Sequence, residues 1–227
     1  MTIDTKQRIL DVAERMFAEH GFEGTSLRGI IAEAGVNVAA VHYHFRSKEA
    51  LLEAVLLRRI VPLNEERLAL LDKVGAEARG RPSVEDILLA FTGPPMRLIL
   101  NPNGEGRVFG KLMGRLHSET GVQFLDMLGK HFAAVSRRFR DALMRAIPQL
   151  PEEDLSWRIH FAVGSMAHTL SCWDHLESVS HGWLKKTDAE AIIPSLVGFM
   201  AAGLRAPVSN KRSKVQSSKL LASGKRS

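Results

Sequence analysis

The run from Thr25 to Leu51 constrains this chain more than any other: two short helical patterns joined by a tight glycine turn, then a long one. Ser26 stands where a helix N-cap is needed, Leu27–Ala34 supplies about two turns of helix, and Gly35 offers the left-handed backbone that closes it. After Gly35-Val36-Asn37 a second short helix is expected over Val38–Phe45. Ser47, with Glu49 and Glu53 behind it, then starts a much longer one. Short helix, three-residue turn with glycine, short helix is the spacing of a helix-turn-helix. Upstream, residues 5–20 set Ile9, Leu10, Ala13 and Phe17 on one face at helical period, and Gly21 ends that helix.

Within the run, Leu27, Ile30, Ile31, Val36, Val41 and Phe45 recur at the period of a buried face. That leaves Val38, Ala39, Ala40, His42, Tyr43 and His44 facing outward or sideways. Small residues at the start of the second short helix let its backbone approach the floor of a DNA major groove, where a methyl group can touch a thymine methyl. Arg28 is the candidate for a guanine contact. Asn37, Tyr43 and Lys48, with Thr25, Ser26 and the helix-end amides, suit phosphate oxygens, which fix register rather than read sequence.

The run resembles the DNA-binding signature of the TetR/AcrR regulators over nearly its whole length, and Phe17-Ala-Glu-His-Gly-Phe22 fits the preceding helix end. The resemblance implies DNA contacts at Thr25, Tyr43, His44 and Lys48. One departure stands out: the motif often has tyrosine just after the apolar residue of the recognition helix, where this chain has His42 followed by Tyr43.

Downstream, Pro62 interrupts the fourth helix and predicts a kink or break between two domains, with Gly75–Pro82 as a loop. Helical patterns follow at 83–100, 105–118, 121–147, 152–179 and 188–204, and no alternating strand pattern competes. The expected fold is all-α. Residues 1–50 form a helix-turn-helix DNA-binding domain, 51–206 a helical effector-binding and dimerisation domain, and 207–227 a disordered basic tail. The last helix, AEAIIPSLVGFMAAGLRA, is apolar on nearly every face, as expected where a partner subunit covers it, so a homodimer on a near-palindromic operator follows from the resemblance.

Phenylalanine and methionine crowd the middle of the chain. Phe91, Met96, Phe109, Met113, Phe124, Met127, Phe132, Phe139, Phe161 and Met166 are the candidate lining of an adaptable apolar cavity, with Arg97, Arg107, Lys111 and Arg115 near enough to meet an anionic head group. Pro148-Gln-Leu-Pro151, Trp157–Gly164 and Val108–Leu116 resemble the C-terminal domain of PsrA-like fatty-acid-responsive regulators, which implies a fatty acid or acyl-CoA effector and release of DNA. A multidrug-type sensor is the alternative.

An enzyme or metalloprotein is the competing class. His160, His168 and His175 are spaced by two helical turns, about 10–12 Å, too far apart for one ion, and no nucleophile elbow, phosphate loop or Cys-His pairing occurs. Neither catalysis, metal nor cofactor is expected. Cys172, the single cysteine, is expected to be a small buried apolar residue. There is no apolar run long enough to span a membrane and no signal-type leader, so the expected compartment is the cytoplasm.

Charge does not carry the DNA-binding argument. The formal net charge of +6 resides entirely in residues 211–227, where Lys211, Arg212, Lys214, Lys219, Lys225 and Arg226 meet no acid. Removing residues 208–227 is therefore expected to lower non-specific DNA affinity and its salt dependence while leaving dimerisation and operator preference intact. Sedimentation and a gel-shift salt series check this; loss of the dimer would make the tail structural.

Overall fold

The computed structural model describes residues 5–38, 43–101, 104, 106–119, 122–185 and 188–208, and among them every regular element is helical. The elements are α1 (Thr5–Gly24), α2 (Leu27–Ala34), α3 (Lys48–Glu77), α4 (Val84–Leu100), α5 (Gly106–Glu119), α6 (Val122–Ala146), α7 (Glu152–Ser171), a 3₁₀ turn (Trp173–His175), α8 (Leu176–Val179) and α9 (Ala189–Arg205). The basic tail beyond Val208 lies outside the described residues.

Most boundaries follow from local chemistry. Gly21 leaves helical geometry with φ 76°, so α1 stops there before one further turn to Gly24. Ser47 caps α3, its hydroxyl oxygen accepting from the Ala50 amide at 3.1 Å. At α4, Ser83 and Asp86 form a reciprocal capping box.

Three boundaries differ from the sequence expectation: α3 continues through Gly75 to Glu77 before the expected loop begins, and two others differ more. Pro62 breaks nothing: α3 runs uninterrupted for 30 residues. Pro62 sits on the exposed side, where water can serve the carbonyl that its missing N–H leaves. Conversely, the helix expected over 152–179 ends at Ser171. There the Ser171 hydroxyl donates to the His168 carbonyl at 3.0 Å, the same oxygen that accepts from the Cys172 amide at 2.9 Å, and such side-chain competition weakens a helix end.

α4 is the central helix, packed against α3, α5, α6, α7 and α9. It contains Pro94 and Pro95 in a buried stretch. Proline 95 cannot donate to the Phe91 carbonyl four residues back, and water has little access there. Arg67 of α3 takes its place: its Nε donates to Phe91 O at 2.8 Å, and its guanidinium lies over the Phe91 ring with Cζ 4.2 Å from the centroid. Nη1 of Arg67 donates to Asn64 Oδ1 at 3.3 Å, and Asn64 Nδ2 donates to His131 O of α6 at 3.2 Å. Arg67 is only 3% exposed, and burial pulls its guanidinium down to about 10, with Glu66 opposing the shift.

A second device brings α5 close. On Gly106 a Cβ would lie 2.1 Å from Leu98 O, on Gly110 2.5 Å from Ile99 Cγ2, and on Gly114 3.1 Å from Ser171 Cβ. Spaced four apart, these glycines form one edge of α5, where its backbone presses on α4 and on the end of α7. α1 packs along the same helix. The buried side chains form one continuous apolar cluster from Ile9 to Leu204.

Arg67→Met is expected to cost about 1–3 kcal/mol by orphaning the buried Phe91 carbonyl. Adding Pro95→Ala, which restores an N–H facing that oxygen, is expected to recover part of the loss, with a coupling of about 1 kcal/mol in a urea-unfolding double-mutant cycle. Strict additivity would show that the guanidinium does not stand in for the missing amide.

Candidate nucleic-acid interface and effector cavities

The N-terminal corner is rigid for reasons visible atom by atom. The Ser26 hydroxyl oxygen accepts from the Gly29 amide at 3.0 Å and starts α2. Gly35, at φ 59°, closes it: the Gly35 amide donates to Ala32 O at 3.2 Å and the Val36 amide to Ile31 O at 3.3 Å, the paired bonds of a Schellman turn. Arg8 of α1 donates to Gly35 O at 3.3 Å, and Arg15 of α1 pairs with Glu33 of α2. Glu14 of α1, 4% exposed, lies between Arg58 and Arg59 of α3, so the corner is locked to the helix that leads into the rest of the molecule.

What this corner presents outward is Arg28, Asn37, Val38, Tyr43 and His44, all exposed. Arg28 has no partner among the described residues. Tyr43 is 84% exposed, its ring meeting that of His44 edge-on at 5.1 Å, while neighbouring Phe45 is buried and anchors the segment. Ala39, Ala40 and His42 lie outside the described residues.

Two residues assigned to phosphate from sequence are engaged inward. Thr25 is 2% exposed, and its hydroxyl donates to Gly21 O at 2.7 Å, with Met16 O at 3.1 Å. Lys48 donates through Nζ to Phe22 O at 2.9 Å and Thr25 O at 3.2 Å, and sits 4.1 Å from the centre of the Phe22 ring. The ammonium thus holds the end of α1 against the start of α3. Sequence alone gave no sign of this, because Phe22 and Thr25 precede Lys48 by more than twenty residues.

Two cavities between helices of the described residues bear on the residues named from sequence. One, about 280 Å³, lies between α5 and the end of α7, with Arg107, Lys111, Arg115 and His175 on its polar side and Ile99, Leu170 and Trp173 on its apolar side. Asp174 also lines it and accepts from Arg107 Nη2 at 2.5 Å. The other, about 220 Å³, is apolar and lies among α4, α6, α7 and α9, against Phe91, Phe139, Leu143, Ile159, Val163 and Met200.

Residues 89–203 match the family described as tetracyclin repressor-like, C-terminal domain, and residues 9–55 match the bacterial regulatory proteins of the tetR family. The chain belongs to the TetR family. Its curated relatives are transcriptional regulators rather than enzymes. The regulator UidR of Escherichia coli is 37% identical over 54 residues, covering 24% of this chain and 28% of UidR. The nicotine-responsive repressor HdnoR of Paenarthrobacter nicotinovorans is 40% identical over 63 residues, covering 26% of this chain and 32% of HdnoR. The chain therefore matches less than a third of either relative. Among solved structures, the fatty acid degradation regulator FadR from Bacillus halodurans superposes with a TM-score of 0.63 at 16% identity, covering 91% of this chain and all of FadR. FadR from Bacillus subtilis in complex with stearoyl-CoA gives 0.63 at 14%, covering 86% and 97%. Both share the fold.

For a TetR-family chain of this kind, the phenylalanine and methionine residues singled out from sequence separate into three groups. Phe91 and Phe139 line the apolar cavity and Arg115 the basic one. Met96, Phe109 and Met166 are buried core, and Met113 and Phe132 pack half-buried against it. Phe161 departs from the expectation: it is 61% exposed on the outer face of α7, stacked against the Trp157 ring at 6.0 Å, and lines neither of these two cavities. The side chains of Phe124 and Met127 lie outside the described residues. Arg97 also leaves the group, reaching Glu190 at 3.8 Å and Glu66 at 4.0 Å. Cys172 is half-buried rather than interior, its Sγ 3.7 Å from His168 Nδ1. The aliphatic lining has no signature in the sequence, because Ile159 or Val163 beside a cavity has the same pattern as in a filled core.

Lys48→Met keeps the apolar stem over Phe22 and removes two charge-assisted hydrogen bonds. It is expected to destabilise the fold by about 1–3 kcal/mol and to lower the melting temperature, without DNA present. An unchanged melting temperature would return Lys48 to a purely surface role.

Proposed function

We propose that this chain is a transcriptional repressor that binds a near-palindromic DNA operator as a homodimer and is released by a small hydrophobic effector carrying an acyl chain. The observation that carries the DNA half is the outward set Arg28, Asn37, Val38, Tyr43 and His44 on a corner fixed by the Ser26 and Gly35 caps and the Glu14 clamp. Arg28 reads a base, most economically a guanine through its two donors, and Tyr43 and Asn37 hold phosphates. Thr25 contributes indirectly: its buried hydroxyl fixes where α2 begins. Lys48 does the same, with one ammonium proton left over for a phosphate.

The dimer half rests on α7 and α9. Trp157 and Phe161 of α7 and Phe199 of α9 are 57%, 61% and 67% exposed, flanked by exposed Gly164, Gly198, Ala202 and Gly203, which permit close approach of helices. A two-fold partner covers this apolar face and leaves no large patch in water. An acyl effector is supported by the apolar cavity beside Phe91 and by the shared fold with FadR, one of whose structures holds stearoyl-CoA.

The test is selection of bound sequences from random DNA followed by affinity measurement in a salt series. A two-fold symmetric site is expected, with Arg28→Ala relaxing preference at one base pair per half-site by about 1–3 kcal/mol. Tyr43→Phe should weaken every sequence alike by about 1 kcal/mol with the salt slope unchanged, because a phenol carries no charge. Absence of any symmetric selected site would overturn the reading.

A further inference from the structure

Neither cavity is large enough alone for an ordinary small-molecule site of roughly 300–1,000 Å³, at about 280 and 220 Å³, but together they are. Their arrangement is not random. α4 runs from Phe91 on the apolar cavity to Ile99 on the basic one, and α7 runs the same way from Val163 to Leu170. Seven or eight helical residues separate the two openings on each helix, about 10–12 Å. In that interval α4 places Met96 and α7 places Met166, both buried. Methionine is the core side chain that repacks most readily. The α4 backbone there also contains Pro94 and Pro95, so two helical hydrogen bonds are missing where the partition stands.

The basic cavity has the chemistry of a head-group receptor. Arg107, Lys111 and Arg115 are spaced four apart on α5 and all line it, and Lys111 has no partner among the described residues. Among the described residues of the lining Asp174 is the only acid and is already held by Arg107, so this wall carries a net positive charge. Behind the cations, Gly110 and Gly114 let α5 close on Ile99 and Ser171. The floor is apolar: Ile99, Leu170 and Trp173.

We propose that the two cavities are the ends of one site for a single amphipathic anion. Its carboxylate or phosphate head lies against Arg107, Lys111 and Arg115, and its alkyl chain passes between Met96 and Met166 toward Phe91 and Phe139. This rests on the acyl-effector reading above and adds the head-group residues and the passage. The head competes with Asp174 for Arg107, and the helix it pulls on is α5, along which α1 of the DNA-binding corner packs. An effector shifts the equilibrium only through contacts that differ between two states, and this exchange of Asp174 for a ligand anion is such a difference.

The test is direct binding to the full chain, followed by tryptophan fluorescence, since Trp173 lines the basic cavity. The probes are saturated fatty acids of 8 to 18 carbons, their CoA thioesters, and their neutral methyl esters. Affinity should rise about fourfold per added CH₂ until the site is full. Acids or thioesters should exceed esters by about tenfold or more, and the acid and thioester arms show which head is preferred. A Lys111→Gln, Arg115→Gln double variant should lose that advantage while binding esters as before. Met166→Phe, which stiffens the passage, should cost long chains but not short ones. Esters binding as tightly as acids, or equal losses for both in the double variant, would overturn the head-group assignment, and long chains unaffected by Met166→Phe would overturn the passage. If no acyl compound binds while operator recognition is intact, the acyl-effector reading itself fails.

Discussion

Close packing of α5 through its glycine edge sets the arrangement of everything else. Gly106 meets the backbone of Leu98 and Gly110 meets Ile99 at distances that a side chain would not permit, and Gly114 meets Ser171 where a Cβ would be tight. Because the backbone is drawn in on that edge, the neighbouring row Arg107, Lys111 and Arg115 is brought to the rim of a cavity instead of standing free in solvent. Because α1 packs along the same helix, the DNA-binding corner is mechanically joined to that rim. One helix therefore touches both ends of the proposed regulatory path.

The interior shows how the molecule tolerates prolines in its central helix. Two consecutive prolines would leave carbonyls without donors in a region that excludes water. The buried Arg67 meets one of them, at the cost of a desolvated charge, and the Asn64 amide extends the network to α6. Thr92 satisfies itself, its hydroxyl donating to Leu88 O at 2.8 Å. The result is a helix that is fully packed yet short of backbone bonds, next to the cavity that would accept a chain.

At the other end, the DNA-facing corner is stiff. The short helix α2 is capped at both ends, its turn glycine is in the conformation only glycine adopts cheaply, and a buried carboxylate between two arginines fastens the corner to α3. This stiff corner leads directly into an uninterrupted 30-residue helix, so it is carried as a unit by the rest of the molecule.

Local chemistry made much of this legible from the sequence. The bounds Leu27–Ala34, the caps at Ser26, Ser47 and Gly35, the all-helical class and the family were readable because capping and amphipathic period act over a few residues. Tertiary structure decided the remainder. Lys48 and Thr25 have side chains that suit phosphate, yet carbonyls left open at the end of α1 claim them, and that competition exists only once the corner is folded. Pro62 reads as a break but lands on a solvent-facing position, where the lost bond is cheap. Phe161 matches a core aromatic in spacing but falls on the face of α7 turned away from the other helices. Which apolar residues fill space and which border it depends on how closely the helix axes approach, and that distance is set by contacts between residues far apart in the chain, beyond the reach of any local pattern.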